Sequence, residues 1–385
     1  MDERAEKEFG LSRLLLMENS GASIALAMER VFGPLEGKRV ALLCGRGGNG
    51  GDGMAAARHL VAHGASVVVG LIGGHEGLQG ETLANWTILD RMGLTPRDVR
   101  GDADVPWMRA ASTAAEYVVD ALVGVGARLP LDGVMGEAVH AVNDAGRPVI
   151  AVDAPSGLNV DTGATDGPCV RATLTVTLGL PKRGLVLFPG TVLVGKLVVA
   201  DLTFPLALLA DPAITSDVVL PEEAAELLPV RSPMAHKHEV GRVMVVAGSR
   251  AMTGAALLAA EAALVGGAGM VHLAAPASVV ALLHGRRPEL LLKAQADTPS
   301  GALAEAALDG LLALAHGMHA AAVGPGLGLE ETTRRTVLKL AENLPCPAVF
   351  DADALTAVAG SAGVLRAAAA PRVLTPHAAE MARLL

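Results

Sequence analysis

Aromatic side chains are scarce in this chain: Phe, Trp and Tyr together make up 2% of its 385 residues. The hydrophobic fraction is still 51%, so Ala, Val, Leu and Gly have to build the interior. The length is enough for two domains with real cores. Cysteine is rare as well. Cys44, Cys169 and Cys346 stand far apart and form no disulfide or metal pattern, which fits a reducing cytoplasmic setting. Basic excess is missing: the net charge is −9, with no basic run to set against it. Nucleic acid and anionic membrane surfaces are thereby disfavoured as partners. The opening Asp2-Glu3-Arg4-Ala5-Glu6-Lys7-Glu8 is unlike a secretory signal. One stretch, 262–285, holds no Asp, Glu, Lys or Arg. Gly266, Gly267, Gly269, His272 and Pro276 break it into helix, turn, strand and helix, so it reads as buried core and not as a membrane span.

What is present is alternation. Apolar strand-like runs near 39–44, 66–72, 117–120 and 148–153 alternate with helical stretches near 52–63, 80–92 and 132–145. This pattern implies a parallel sheet covered on both faces. Residues 172–201 add shorter strands, expected as antiparallel additions at an edge. Prolines 205, 212, 221, 229 and 233 mark a linker, and a second series follows, with strands near 242–247, 268–274, 320–324, 346–351 and 372–375. The expected division is 1–212, a linker over 213–234, and 235–385.

The richest stretch is Cys44-Gly45-Arg46-Gly47-Gly48-Asn49-Gly50-Gly51-Asp52-Gly53, between a strand and a helix. Such a turn surrounds an anionic ligand with backbone N–H groups, and Gly45, Gly47 and Gly50 satisfy G-x-G-x-x-G. The acid that a redox dinucleotide fold places after its second strand is absent until Glu76. A dinucleotide here is therefore expected as substrate, not as redox cofactor. Other strand ends carry oxygen ligands too: Asp120 before Gly124 and Gly126, and Asp153 before Ser156 and Gly157. One such Asp is usually a helix cap. Several at one sheet edge suit a hard, weakly held cation such as K⁺, Na⁺ or Mg²⁺.

Leu16-Met17-Glu18-Asn19-Ser20-Gly21, the Gly45–Gly53 loop, the segment Asp120 to Gly126 and Asp153-Ala154-Pro155-Ser156-Gly157 resemble, in order and spacing, the NAD(P)H-hydrate epimerase domain of the YjeF N-terminal family. Gly48 replaces the first Asn of that family's usual loop. The resemblance implies a Rossmann-like α/β fold and a K⁺ site from Asn49, Asp120 and Ser156. It also implies substrate contacts from Gly48, Asn49, Gly50, Gly51 and Asp52, from Gly124, Val125, Gly126, Ala127, Arg128, Leu129 and Pro130, and from Asp153. The substrate would be hydrated NADH or NADPH, epimerised at C6. Asp153 or Asp120 would move the proton, with Asp153 preferred if Asp120 holds the cation.

The second half resembles the ADP-dependent NAD(P)H-hydrate dehydratase, with a ribokinase-like fold. The matching pieces include His236-Lys237, Thr253-Gly254-Ala255-Ala256, Val323-Gly324-Pro325-Gly326-Leu327-Gly328 and Leu374-Thr375-Pro376-His377, with His238 where glycine is usual. Ala255, Gly326 and His377 are the implied substrate contacts, with ADP as co-substrate and Mg²⁺ as a further expected ion. The family's final G-x-G-D segment is not found between Phe204 and Leu385. The expectation is a truncated ribokinase-like half, and epimerisation without ADP-driven dehydration. A homo-oligomer is compatible with this reading. The alternatives are a non-catalytic nucleotide-binding scaffold and a small-molecule kinase; retention of Asp52, Asp120 and Asp153 disfavours the first.

Overall fold

Short apolar runs closed by glycine turns pair into a seven-stranded and a six-stranded sheet in the computed structural model, which describes residues 1–237 and 239–385. His238 lies outside the described residues. The chain divides into two units, Met1–Val219 and Leu220–Leu385.

In the first unit the strands are β1 (Arg39–Cys44), β2 (Ser66–Ile72), β3 (Arg97–Val99), β4 (Tyr117–Ala121), β5 (Val149–Val152), β6 (Leu174–Leu178) and β7 (Lys196–Ala200). Their spatial order is β3-β2-β1-β4-β5-β6-β7, with every pairing parallel. This is the Rossmann-like order, and its switch point lies between β1 and β4. The side-chain period of two sorts each strand onto two cores. Leu42 and Cys44 pack with Met54, Leu60 and Val119, while Leu43 packs with Met108, Val118 and Val142 on the other face. Each fully buried Leu or Val contributes about 1.5–3 kcal/mol, so a core almost without aromatics still suffices.

Two expectations fail here. β6 and β7 are parallel, not antiparallel. The chain between them turns through two short helices, Arg183–Val186 and Thr191–Val194, which provide the crossover that a parallel pair requires. The helix after β1 begins at Gly48, not near residue 52, so most of the supposed loop is helical.

The second unit opens with a short helix, Pro221–Leu227, inside the expected linker. Its strands are β8 (Arg242–Val246), β9 (Met270–Pro276), β10 (Leu291–Gln295), β11 (Ala320–Val323), β12 (Ala348–Phe350) and β13 (Arg372–Leu374), all parallel in the order β10-β9-β8-β11-β12-β13. The uncharged stretch 262–285 divides among helix Thr253–Val265, β9 and helix Ala277–Leu283. No described helix is long and apolar enough to cross a membrane.

Candidate functional site

The glycines after β1 are there for close approach. A Cβ on Gly45 would lie 1.9 Å from the Leu122 carbonyl oxygen, and one on Gly50 would lie 1.7 Å from the Gly45 carbonyl oxygen. Only bare backbone lets helix Gly48–Ala62 start this tightly against the ends of β1 and β4. That seating drives Asn49 into the protein, 8% exposed, with neither its carbonyl oxygen nor its amide nitrogen partnered among the described residues. A buried amide left so is costly and marks a place for a ligand.

Across from Asn49 lies Gly124, whose added Cβ would stand 3.3 Å from Asn49 Oδ1. The preceding residue, Val123, donates its N–H to Ser156 Oγ at 3.0 Å. Ser156 in turn fixes Asp120, which is wholly buried: the hydroxyl lies 2.7 Å from Oδ1 and the backbone N–H donates to Oδ2 at 2.8 Å. The Leu122 N–H reaches Oδ1 at 3.2 Å. Burial pushes the Asp120 carboxyl up to about 6, against these three donors. Asp120 and Ser156 thus meet at adjoining strand ends, and Asn49 stands beside Gly124, one residue on from the Val123 N–H that Ser156 accepts. The donors are all oxygen once the Asn amide is oriented, which fits a hard cation such as K⁺. Among the described residues no cluster of His, Cys, Asp and Glu offers a softer metal site. Burial also raises the Cys44 thiol far above its usual range, so it is no nucleophile.

Beyond this point opens a cavity of about 860 Å³, lined by Gly48, Asn49, Asp52, Gly124, Val125, Gly126, Ala127 and Asp153 among the expected residues. The volume suits a nucleotide-sized ligand. Gly50 and Gly51 are buried in the helix beneath it, while Arg128, Leu129 and Pro130 continue the 124–130 segment outside its lining. Asp153 leaves the end of β5 with φ of 66°, a left-handed conformation that costs a non-glycine residue about 1–3 kcal/mol.

Sequence reasoning missed Lys182 and Arg46, which also line the cavity. Lys182 Nζ pairs with Asp153 Oδ1 and donates to Thr177 Oγ1 at 3.1 Å and to the Leu178 carbonyl at 3.0 Å. Arg46 donates to the Glu76 carbonyl at 2.6 Å, over the turn after β2. Lys182 follows a strand whose parallel pairing was not foreseen, and only that pairing carries it to the site. His59 and His63, at helical spacing, instead pair with Glu18 at 2.8 Å and Glu29 at 3.0 Å.

In the second unit Ala255 and Gly326 are neighbours: a Cβ on Gly326 would lie 2.7 Å from Ala255 Cβ. His377 stands two strands away, after β13, and caps helix Ala378–Leu384. Its Nδ1 accepts from the N–H of Ala379 at 3.1 Å and of Glu380 at 3.3 Å, leaving Nε2 to face Glu380 Oε1 at 3.2 Å.

Family comparison assigns each half of the chain. Residues 13–184 match the family of the YjeF-related protein N-terminus, and residues 243–385 match NAD(P)H-hydrate dehydratase. The bifunctional NAD(P)H-hydrate repair enzyme Nnr of Moorella thermoacetica is 40% identical over 386 residues, covering 100% of this chain and 73% of that one. Its counterpart from Thermofilum pendens is 41% identical, covering 100% of this chain and 72% of that one. Among solved structures, the ADP/ATP-dependent NAD(P)H-hydrate dehydratase of Bacillus subtilis, co-crystallised with ATP/Mg²⁺, is 27% identical, with a TM-score of 0.32 over 42% of this chain and 53% of that one. The expected loss of dehydration finds no support in these comparisons. Ordered motifs at the strand ends of both sheets and similarity running the whole length of the chain lead to one assignment: it belongs to the family of bifunctional NAD(P)H-hydrate repair enzymes, which join an epimerase domain to a dehydratase domain.

Proposed function

We propose that the first unit interconverts the R and S hydrates of NADH and NADPH in the 860 Å³ cavity, with K⁺ held by Asn49, Asp120 and Ser156. The observation that carries this is the buried Asn49 amide without a partner, beside the Asp120–Ser156 pair. Bound K⁺ supplies a fixed positive charge that offsets the buried Asp120 carboxylate and polarises oxygen atoms beside it. Asp120, closed off by Ser156 and Leu122, positions; it does not reach the substrate. Asp153 lines the cavity and is the carboxylate that moves the proton. The hydrate bears its hydroxyl on C6, next to the ring nitrogen, so inversion requires breaking and remaking the C6–O bond. Gly48, Asn49 and Asp52 on one wall and Gly124 to Ala127 on another contact the substrate, with Arg46 available to a phosphate oxygen.

For the second unit the reading is ADP-dependent dehydration of the S hydrate, with Mg²⁺ accompanying the nucleotide and with Ala255, Gly326 and His377 contacting the substrate. The support is the dehydratase match over residues 243–385 and the meeting of Ala255 with Gly326. A cytoplasmic setting and a homo-oligomer complete the proposal.

The test follows both hydrates by chromatography with K⁺, with and without ADP, for wild type and Asn49→Ala. Interconversion by wild type that weakens in Asn49→Ala and is recovered by added K⁺ supports the first reading. Absence of interconversion by the folded wild type overturns it. ADP-driven loss of the S hydrate tests the second.

A further inference from the structure

Two carboxylates face the first unit's cavity from different elements: Asp52 from helix Gly48–Ala62 and Asp153 from the end of β5. Their surroundings differ in one decisive respect. Asp153 is paired with the Lys182 ammonium and also receives the Leu178 N–H at 3.0 Å and the Thr177 hydroxyl at 3.4 Å, all on Oδ1. Oδ2 accepts no hydrogen bond among the described residues. Lys182 has three N–H donors, and they go to Asp153, Thr177 and Leu178. None remains for Asp52, which has no ion-pair partner among the described residues.

The neighbour of Asp52 is the Ser20 hydroxyl. That hydroxyl donates to the Leu16 carbonyl at 3.0 Å; where it turns to Asp52 it favours the carboxylate, against the effect of burial. The other charges around Asp52 are Asp2 and Asp153, which disfavour ionisation, and Lys182, which opposes them; Glu3, Arg13, Arg46 and Glu81 also line the cavity. Burial, the largest cause, holds the Asp52 carboxyl well above the usual carboxylate range.

We propose that Asp52 and Asp153 are the two-sided acid–base pair of the epimerase, Asp52 carrying the proton and Asp153 the charge, with Lys182 as the positioning residue that keeps them in opposite states. The proposal rests on epimerisation taking place in this cavity. An enzyme that inverts one carbon in both directions needs a proton carrier at each face of the ring, and two carboxyls in contrasting surroundings supply them. In one direction Asp52 gives its proton to the C6 hydroxyl, which leaves as water while the ring-nitrogen lone pair forms an N=C6 iminium. A water then adds to C6 from the opposite face and gives its proton to Asp153. One water leaves and one enters, and no oxidant or reductant is required. The reverse direction exchanges the two roles.

The experiment measures epimerisation in H₂¹⁸O and its pH profile for wild type, Asp52→Asn, Lys182→Met and Lys182→Arg. Wild type incorporates one ¹⁸O per inversion. Asp52→Asn lowers kcat at least 100-fold with KM little changed and removes the alkaline limb, since activity there falls as Asp52 ionises. Lys182→Met lowers kcat, because Asp153 loses the ammonium it is paired with, and Lys182→Arg, which keeps a cation there, restores part of it. A second reading is thermal. A carboxyl held up in the fold gives stability that is full below its unfolded value and lost as pH rises through the folded one, so the Tm of Asp52→Asn gains on wild type as pH rises. Retention of the C6 oxygen, or an unchanged alkaline limb in Asp52→Asn, overturns the pair. Wild type that inverts neither hydrate overturns the underlying reading of the cavity instead.

Discussion

Ser156 grips both oxygens of Asp120, the hydroxyl at 2.7 Å and the backbone N–H at 2.8 Å. The hydroxyl also accepts from the Val123 N–H. Ser156→Ala removes one contact to the buried carboxyl and leaves the Val123 N–H without its acceptor. We expect a loss of about 1–3 kcal/mol, read as a lower midpoint in urea. The K⁺ concentration for half-maximal epimerisation should rise about tenfold or more, as the site loses an oxygen.

Neighbouring glycines in the helix after β1 should respond oppositely to substitution. Gly50→Ala places a methyl 1.7 Å from the Gly45 carbonyl oxygen, and backbone cannot yield as a side chain would. A loss of more than about 3 kcal/mol is expected, seen as a large fall in Tm. Gly48, by contrast, has nothing within 4 Å of an added Cβ. Gly48→Asn, which restores the family's usual residue, should fold as well as wild type and lower KM for the hydrates with kcat unchanged.

The Glu18 carboxylate bonds Arg58 Nη1 at 3.4 Å and His59 Nε2 at 2.8 Å, tying helix Arg13–Phe32 to helix Gly48–Ala62. The Arg58 hydrogen bond holds the Glu18 carboxyl below its usual range. The stability it brings is present above the unfolded value and lost as pH falls through the folded one. Glu18 is 43% exposed, so the contribution is about 0.5 kcal/mol. Thermal melts between pH 3 and pH 7 should show Glu18→Gln converging with wild type at the acid end.

Much of this was legible from the chain because strand and helix alternate with clear punctuation. Val40-Ala41-Leu42-Leu43 and Val149-Ile150-Ala151-Val152 are strands, and of the polar residues near the ends of such runs Asp120 and Ser156 meet. Less legible was anything set by tertiary pairing. β3 is three residues long and β10 carries no alternation that separates it from loop, so neither announced itself. Six residues of Gly and polar side chains at 48–53 are poor helix formers; packing on Ala121, Leu122 and Gly45 makes them helical all the same. Lys182 was invisible for a related reason. Its partner Asp153 lies 29 residues earlier, joined to it only through the parallel register of β5 and β6.

The left-handed backbone at Asp153 and its carboxylate pull in opposite directions at a single position. Glycine would adopt that conformation without strain, yet it would leave the Lys182 ammonium, whose side chain is 20% exposed, without the carboxylate that pairs with it. The relief of about 1–3 kcal/mol from the backbone is therefore offset by an unpaired charge, and the strained aspartate is held in place by the lysine across from it.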